Sequence, residues 1–371
     1  MPDAVKLLEE IRAWVEIETP TSAPQAVERL MDRVAAGFST LGAPVSWIEG
    51  INGRGKHLEV RSPWGGDGPG ILILSHLDTV HPVGTLADRL PFRIEGDRAY
   101  GPGIYDMKGG AFLGFAAFRE LVREGKPTPL PLRWLFTSDE EVGSPTSRDH
   151  IRKAGDLARY VLVTEPGRDG GKCVTARKGT ARHAIHFTGR PAHSGSRHAA
   201  GRSAIREMAR HILELEAITD YEVGITTNVG IVSGGTAVNT IPEQARLDLD
   251  LRFPSEAAMN TALAAVRNRV SHDPDVSIRI EGGVDRPPYE KSPATAALFE
   301  HARVLAAELG FELDDTMSGG GSDGNFLAGR LPVLDGIGVD GDGAHTYHEH
   351  LLISSIVPRM QLMKRLMETL E

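Results

Sequence analysis

Five side chains able to bind a metal are spread along the chain: His76, Asp106, Glu141, Glu165 and His345. Imidazole and carboxylate donors without thiolates suit a catalytic zinc site, and two zinc ions about 3.5–4 Å apart require a carboxylate that bridges them. Asp106 is the candidate bridge. The single cysteine, Cys173, can form neither an internal disulfide nor a thiolate cage, so any metal falls to His, Asp and Glu. Glu140 stands beside Glu141, and two adjacent acids usually mean a solvated loop. If Glu141 ligates zinc, however, Glu140 can face the reacting water, take its proton and pass it to the departing amine. The two acids then have separate roles and separated pKa values. His76 and Asp78, two apart at a strand end, project to the same side, where Asp78 can accept the second ring N–H or brace the loop. A lone His-x-Asp would be better read as a polar strand exit.

The elements needed to gather these groups are visible in the hydrophobic pattern. Leu7, Leu8, Ile11 and Val15 share one helical face, and Val27, Leu30, Met31, Val34 and Phe38 share another. The apolar runs Ile71–Leu74, Leu132–Phe136 and Tyr160–Val163 suit buried, mainly parallel strands. They lead into Ser75–Asp78, Ser138–Glu141 and Thr164–Pro166, and open α/β sheets place their sites at such carboxyl ends. Between them, residues from about Gly109 to Arg123 predict a helix burying Phe112, Phe115 and Phe118 or Val122.

From about Arg177 the texture changes. Ala245, Leu247, Leu249 and Leu251 alternate with Arg246, Asp248, Asp250 and Arg252, as in an antiparallel sheet with one wet face. Helical segments Gly201–Glu216 and Ser255–Val270 accompany it, so residues 177–285 read as a separate α+β domain. It interrupts a discontinuous α/β domain of residues 1–176 and 286–371, which closes with a helix ending at Leu370. A chain of 371 residues, 40% of them hydrophobic, can supply two such cores.

Composition narrows the function classes. Acidic residues exceed basic ones, 50 to 41, without a Lys/Arg block, which argues against a nucleic-acid or anionic-membrane partner. No apolar run is long enough to span a bilayer and the start lacks a basic-then-apolar leader, so a cytoplasmic location is expected.

The stretches Ser75-His76-Leu77-Asp78-Thr79-Val80, Tyr105-Asp106-Met107-Lys108-Gly109-Gly110, Asp139-Glu140-Glu141-Val142-Gly143-Ser144 and Thr164-Glu165-Pro166 occur in this order. Together they resemble the motifs of the di-zinc family containing glutamate carboxypeptidase, acetylornithine deacetylase, succinyl-diaminopimelate desuccinylase and aminoacylase. The likeness, nearest to glutamate carboxypeptidase, continues through Arg177–Gly179, Gly189–Gly195, Asn239–Pro242 and Ser318–Asp323. It implies a zinc-exopeptidase-like catalytic domain, with a mixed, mainly parallel sheet between helices and an inserted α+β dimerisation and lid domain.

The resemblance also implies roles. His76 and Glu165 would hold one zinc, Glu141 and His345 the other, with Asp106 bridging, giving two Zn2+ per subunit. Glu140 would be the general base, Asp78 would support the catalytic group, and the Asp106–Met107 peptide would be cis. His193 would reach a homodimer partner's site and stabilise the tetrahedral oxyanion. Asn239, Arg252 and the backbone at Gly320 would anchor the substrate carboxylate, consistent with the bidentate fork of a guanidinium. The implied reaction hydrolyses a peptide or linear amide C–N bond in a peptidyl or N-acyl amino acid with a free carboxylate. The N-acyl amino acid deacylases and desuccinylases of the same family are the alternative.

The segment His345-Thr346-Tyr347-His348-Glu349-His350 offers three histidines for the last ligand. The family places a glutamate four residues after its ligand, and Glu349 meets that spacing from His345. Gly320-Gly321-Ser322-Asp323-Gly324 matches the G-x-S-x-G pattern, making a serine hydrolase using Ser322 the distant alternative. Three glycines before Ser322 suit a binding loop better. Gly336–Gly341 matches a dinucleotide fingerprint, but no amphipathic helix follows it. A non-catalytic module of this fold would have lost a ligand or the base, and all are present.

Overall fold

A computed structural model describes residues 3–371. The chain divides into two compact units. One runs to Ala176 and resumes at Lys291–Ser318 and Ser322–Glu371; the other comprises Arg177–Glu290 with Gly319–Gly321.

The first unit begins with α1 (Ala4–Val15) and α2 (Pro24–Thr40). Asp3 caps α1 by accepting from the Val5 N–H at 2.9 Å, and Pro24 occupies the first turn of α2, where no amide hydrogen is needed. The strands β1 (Val45–Ile48), β2 (His57–Arg61), β3 (Gly70–His76), β4 (Leu132–Thr137) and β5 (Ala158–Val163) follow. With the two-residue strand Val333–Leu334 they form a sheet in the order β1-β2-β4-β3-β5-(333–334). β3 pairs in parallel with β4 and β5, whereas β1–β2 and β2–β4 are antiparallel.

Leu58, Val60, Ile71, Ile73, Leu132, Trp134, Phe136 and Leu162 belong to one buried cluster with α1, α2, α3 (Gly109–Glu124) and the closing helix Ile353–Thr369; the short helix α4 (Arg148–Ala154) joins β4 to β5. Phe38 lies at its centre, its ring 5.0 Å from Phe115, 5.2 Å from Phe118 and 5.3 Å from Trp134. The expected apolar stripe of α3 is only part of its buried surface. Every residue from Gly109 to Phe118 is buried, because α3 touches both β3 and the closing helix. Gly110 is dictated by this packing: a Cβ there would sit 1.9 Å from the Thr164 carbonyl oxygen.

A further antiparallel sheet was not anticipated from the pattern, because its strands are only two or three residues long. Arg93–Glu95, Arg98–Tyr100, His350–Leu352 and Gly341–Asp342 pair side by side and hold both ends of the loop carrying His345.

The second unit has four antiparallel strands, β6 (Gly179–Thr188), β7 (Thr226–Gly234), β8 (Gln244–Phe253) and β9 (Ser277–Arg286), in the order β7-β8-β6-β9. The alternation along β8 is realised: Ala245, Leu247, Leu249 and Leu251 are buried with Ala181, Ile185 and Phe187. They pack with Met208 and Leu215 of α5 (Ala204–Glu216) and Ala262, Leu263 and Val266 of α6 (Glu256–Arg267). Ser203 and Ser255 cap these helices through their side chains. Truncating the central aromatic of the first unit, Phe38→Ala, should lower stability by about 3–5 kcal/mol in urea unfolding. A loss below about 1 kcal/mol would show that the ring cluster repacks without it.

Candidate metal centre

Three of the ligand candidates, His76, Glu141 and Glu165, lie at or just beyond the carboxyl ends of buried strands. His76 is the last residue of the fully buried β3, and its Nδ1 lies 2.9 Å from the Asp78 backbone carbonyl. This contact makes Nδ1 the ring donor and turns Nε2 towards the site. The Asp78 carboxylate itself is 3.6 Å from Nδ1 and is used elsewhere. It accepts from the Thr21 hydroxyl at 2.6 Å and from the backbone N–H groups of Glu140 at 3.1 Å and Glu141 at 3.2 Å. Asp78 therefore braces the turn that presents the two adjacent acids.

That turn, Glu140–Val142, is pinned from its other side by Asp139, which accepts from the Thr146 N–H and hydroxyl, both at 2.7 Å, and from the Ser147 hydroxyl at 2.6 Å. Asp106 sits in the tight turn Ile104–Lys108, and the Asp106–Met107 peptide is cis. Glu349, 1% exposed, anchors this turn by accepting from the N–H groups of Gly103 at 2.9 Å and of Tyr105 and Asp106 at 3.0 Å. His81 Nε2 donates to the same carboxylate at 2.8 Å. Lys108 is buried, donates to the Ile17 carbonyl at 2.7 Å, and has its pKa lowered by burial to about 7.

The side chains meet around Asp106. Its Oδ1 is 3.2 Å from His76 Nε2 and its Oδ2 is 3.6 Å from His345 Nε2. His76 Nε2 is also 3.5 Å from Glu165 Oε1, and His345 Nε2 is 3.0 Å from Glu141 Oε2. The structure thus forms two His–carboxylate sets, His76/Asp106/Glu165 and Asp106/Glu141/His345, that share one aspartate. Of the other two histidines in the last segment, His348 is exposed and His350 donates through Nδ1 to the His348 carbonyl at 2.9 Å. Arg168 was not singled out from the sequence, although it follows Glu165 by three residues. Its Nη2 lies 3.7 Å from Glu165 Oε2 and 4.0 Å from Asp106 Oδ2.

Electrostatics show what this donor set suits. Burial opposes a charge on His76, but hydrogen bonds to Asp106 and Glu165 and the nearby Glu140 carboxylate hold its pKa well above the ordinary value. The hydrogen bond that His345 donates to the Glu141 carboxylate raises its pKa to about 9. Burial pushes Glu141 up to about 7 and Asp78 up to about 6, whereas Asp106 is held below the usual range by His76 despite its own burial. Glu141 Oε1 is buried and has no hydrogen-bond partner. Crowded carboxylates, imidazoles drawn towards protonation and an orphaned carboxylate oxygen are the properties of a site suited to cations.

The candidates for oxyanion and carboxylate binding lie in the second unit. His193 is exposed, and its Nδ1 accepts from the N–H groups of Gly195 at 3.1 Å and Ser196 at 3.2 Å, which leaves Nε2 as the protonated, donating nitrogen. Asn239 is its neighbour across the loop, its backbone carbonyl accepting from the Ser194 N–H at 3.0 Å. The Arg252 guanidinium grips Asp250, two residues earlier on the same strand, with Nε and Nη2 at 2.7 and 3.1 Å from its two oxygens. The Gly320 carbonyl accepts from Arg177 Nη1 at 3.2 Å. Ser322, in the first unit, is fully buried; its hydroxyl donates to Asp335 at 2.5 Å and accepts from the Gly324 N–H, so it caps the turn Asp323–Phe326.

Residues 72–369 match the model of peptidase family M20/M25/M40, and the chain belongs to that family. It is thus a metal-dependent hydrolase of peptide or amide bonds, and the serine alternative falls away. Among named relatives, it is 32% identical to carboxypeptidase G2 of Pseudomonas sp. (strain RS-16) over 98% of this chain and 88% of that protein. It is 26% identical to a succinyl-diaminopimelate desuccinylase of Delftia acidovorans, over 84% of each chain. The fold is shared with a tripeptidase of Staphylococcus aureus (TM-score 0.79, 20% identity, 99% and 98% of the two chains). An M20 family metallo-carboxypeptidase of Sulfolobus solfataricus shares it too (TM-score 0.73, 18% identity, 99% of both).

His345→Ala should remove close to one zinc equivalent per chain by mass-spectrometric metal counting, while His348→Ala and His350→Ala retain the wild-type content. Full retention in His345→Ala would overturn its place as a ligand. The neighbouring carboxylates draw His76 and His345 towards protonation, so entering metal competes with protons at both rings. Calorimetry should record proton release, with apparent affinity rising roughly tenfold per pH unit for each proton displaced between pH 6 and 8. Uptake independent of pH would show that metal and protons do not compete for these rings.

Proposed function

We propose that this chain is a two-zinc, glutamate carboxypeptidase-like exopeptidase that cleaves the amide bond between a peptidyl or acyl group and an amino acid with a free carboxylate. The observation that carries this reading is Asp106, whose two oxygens face two different imidazoles, each backed by its own carboxylate. His76 and Glu165 would hold one ion, Glu141 and His345 the other, and Asp106 both. Such a pair supplies polarisation of the scissile carbonyl and a water that ionises near neutral pH.

The chain's own residues handle the protons. The Glu140 carboxylate lies near enough to both rings to favour protonation of His76 and His345. It would take a proton from the attacking water and deliver it to the amine nitrogen as the C–N bond breaks. His193, its Nδ1 committed to two loop amides, would donate from Nε2 to the developing oxyanion. In this reading His193 acts from a second copy of the chain, within a cytoplasmic homodimer formed through the 177–285 domain.

Asn239, Arg252 and the backbone at Gly320 are proposed to hold the substrate carboxylate. Arg252 would exchange its bidentate partner Asp250 for that carboxylate. The likeness to carboxypeptidase G2 favours a peptidase. The likeness to succinyl-diaminopimelate desuccinylases supports the second reading, an N-acyl amino acid deacylase. A panel of peptidyl and N-acyl amino acids against their carboxamides should show hydrolysis only with the free carboxylate; equal rates would refute the substrate class. Glu140→Gln should lower kcat by about 10²–10⁴-fold with zinc content unchanged. Undiminished turnover would remove Glu140 from the proton path.

A further inference from the structure

The second unit contains another cluster with the donor chemistry of the metal centre. Among the described residues, only three groups of His, Cys, Asp or Glu place one ligand atom each within 4.8 Å of all the others. Two share Asp106. The third is Glu207, His211 and His272.

Glu207 and His211 lie four residues apart on α5, so one helical face presents both, and they are 2% and 1% exposed. His211 Nε2 is 3.2 Å from Glu207 Oε1. His272 arrives from the segment after α6. Its backbone N–H donates to Glu207 Oε1 at 2.5 Å, beside the Ser271 hydroxyl at 3.0 Å, and its ring centre is 5.1 Å from that of His211. Glu214, one turn beyond His211, lies behind both rings, with one carboxylate oxygen 2.9 Å from His272 Nε2 and the other 3.9 Å from His211 Nδ1. Metal-bound histidines characteristically have such an acceptor for the second ring nitrogen.

Protonation states favour the same chemistry. Burial, reinforced by Arg269, lowers the pKa of His211 and keeps the imidazole neutral. Burial works against charge on Glu207, but hydrogen bonds from His272, Ser271 and His211 outweigh it and lower its pKa. Arg269 is the opposing feature, because its Nη1 points at His211 Nδ1 from 3.4 Å. The same Nη1 also holds Glu214, so a turn onto that carboxylate frees Nδ1 to carry the proton and leaves the Nε2 lone pair for a ligand bond.

We propose that Glu207, His211 and His272 form a third, structural metal site for a zinc-class divalent cation, tying α5 to the segment after α6. Two imidazoles and one carboxylate select Zn2+, Co2+ or Ni2+ over Ca2+ or Mg2+. The fourth position falls to water. A ligand set drawn from a helix and a loop 61 residues further on stabilises the folded unit, because the unfolded chain cannot assemble it.

The test uses the untagged full-length protein equilibrated with Zn2+, with the difference in metal content between variants as the readout. His272→Ala, at a side chain 38% exposed, and His211→Gln should each bind one equivalent less than wild type. His272→Ala should hydrolyse substrate within about twofold of wild type. His345→Ala should retain the extra equivalent, which separates failure of this site from failure of the catalytic centre. Zinc beyond the catalytic complement should raise the melting temperature of wild type and not of His272→Ala. Equal zinc content in wild type, His272→Ala and His211→Gln would overturn the proposal and leave the cluster a hydrogen-bonded lock.

Discussion

Carboxylates converge on one small region of the first unit, and each repels the others. Two like charges 4 Å apart cost about 4 kcal/mol at an effective dielectric near 20. Asp106, Glu141 and Glu165 must nevertheless lie together, with Glu140 alongside, because no one of them can hold a divalent ion alone. The side chains answer this repulsion with the positive charge of His76, His345 and Arg168. Cations do so more fully, which is why the same arrangement is a metal centre and why its formation is linked to pH.

Repulsion of this kind has to be resisted by the scaffold. The parallel strands β3, β4 and β5 stop at one level, so His76, the Glu140–Glu141 turn and Glu165 leave the sheet side by side. Two further acids then act as anchors. Asp78 receives the amides of the Glu140–Glu141 turn and Glu349 receives those of the Asp106 turn, converting buried negative charge into many hydrogen bonds. The glycine at 110 completes the arrangement by letting α3 approach the Thr164 carbonyl, directly before Glu165.

The second unit follows the same economy with a smaller core. One face of its sheet is covered by α5 and α6, while the other carries alternating charges such as Arg246, Asp248, Asp250 and Arg252. Its chemically disposed groups are local devices. A loop fixes the tautomer of His193, and a helix face sets Glu207 against His211.

The sequence by itself determined which side chains were available and which strands and helices would carry them. Hydrophobic period and ordered polar strand exits are local properties, so β3, β4, β5, β8 and the residues His76, Asp106, Glu141, Glu165 and His345 were legible. Contacts that depend on distant backbone were not. Nothing in the spacing of Asp78 says that its carboxylate holds the amides of residues 140 and 141 rather than the ring of His76. The Asp250–Arg252 spacing placed both on one strand face, yet only the folded geometry turned the guanidinium onto its neighbour. The short sheet around His345 has strands too brief to leave a period, and Arg168 and His272 acquire meaning only through partners brought near in space. Local interactions are written into a few consecutive residues, whereas distance between remote side chains is a property of the packed chain as a whole, and tertiary structure alone decided it.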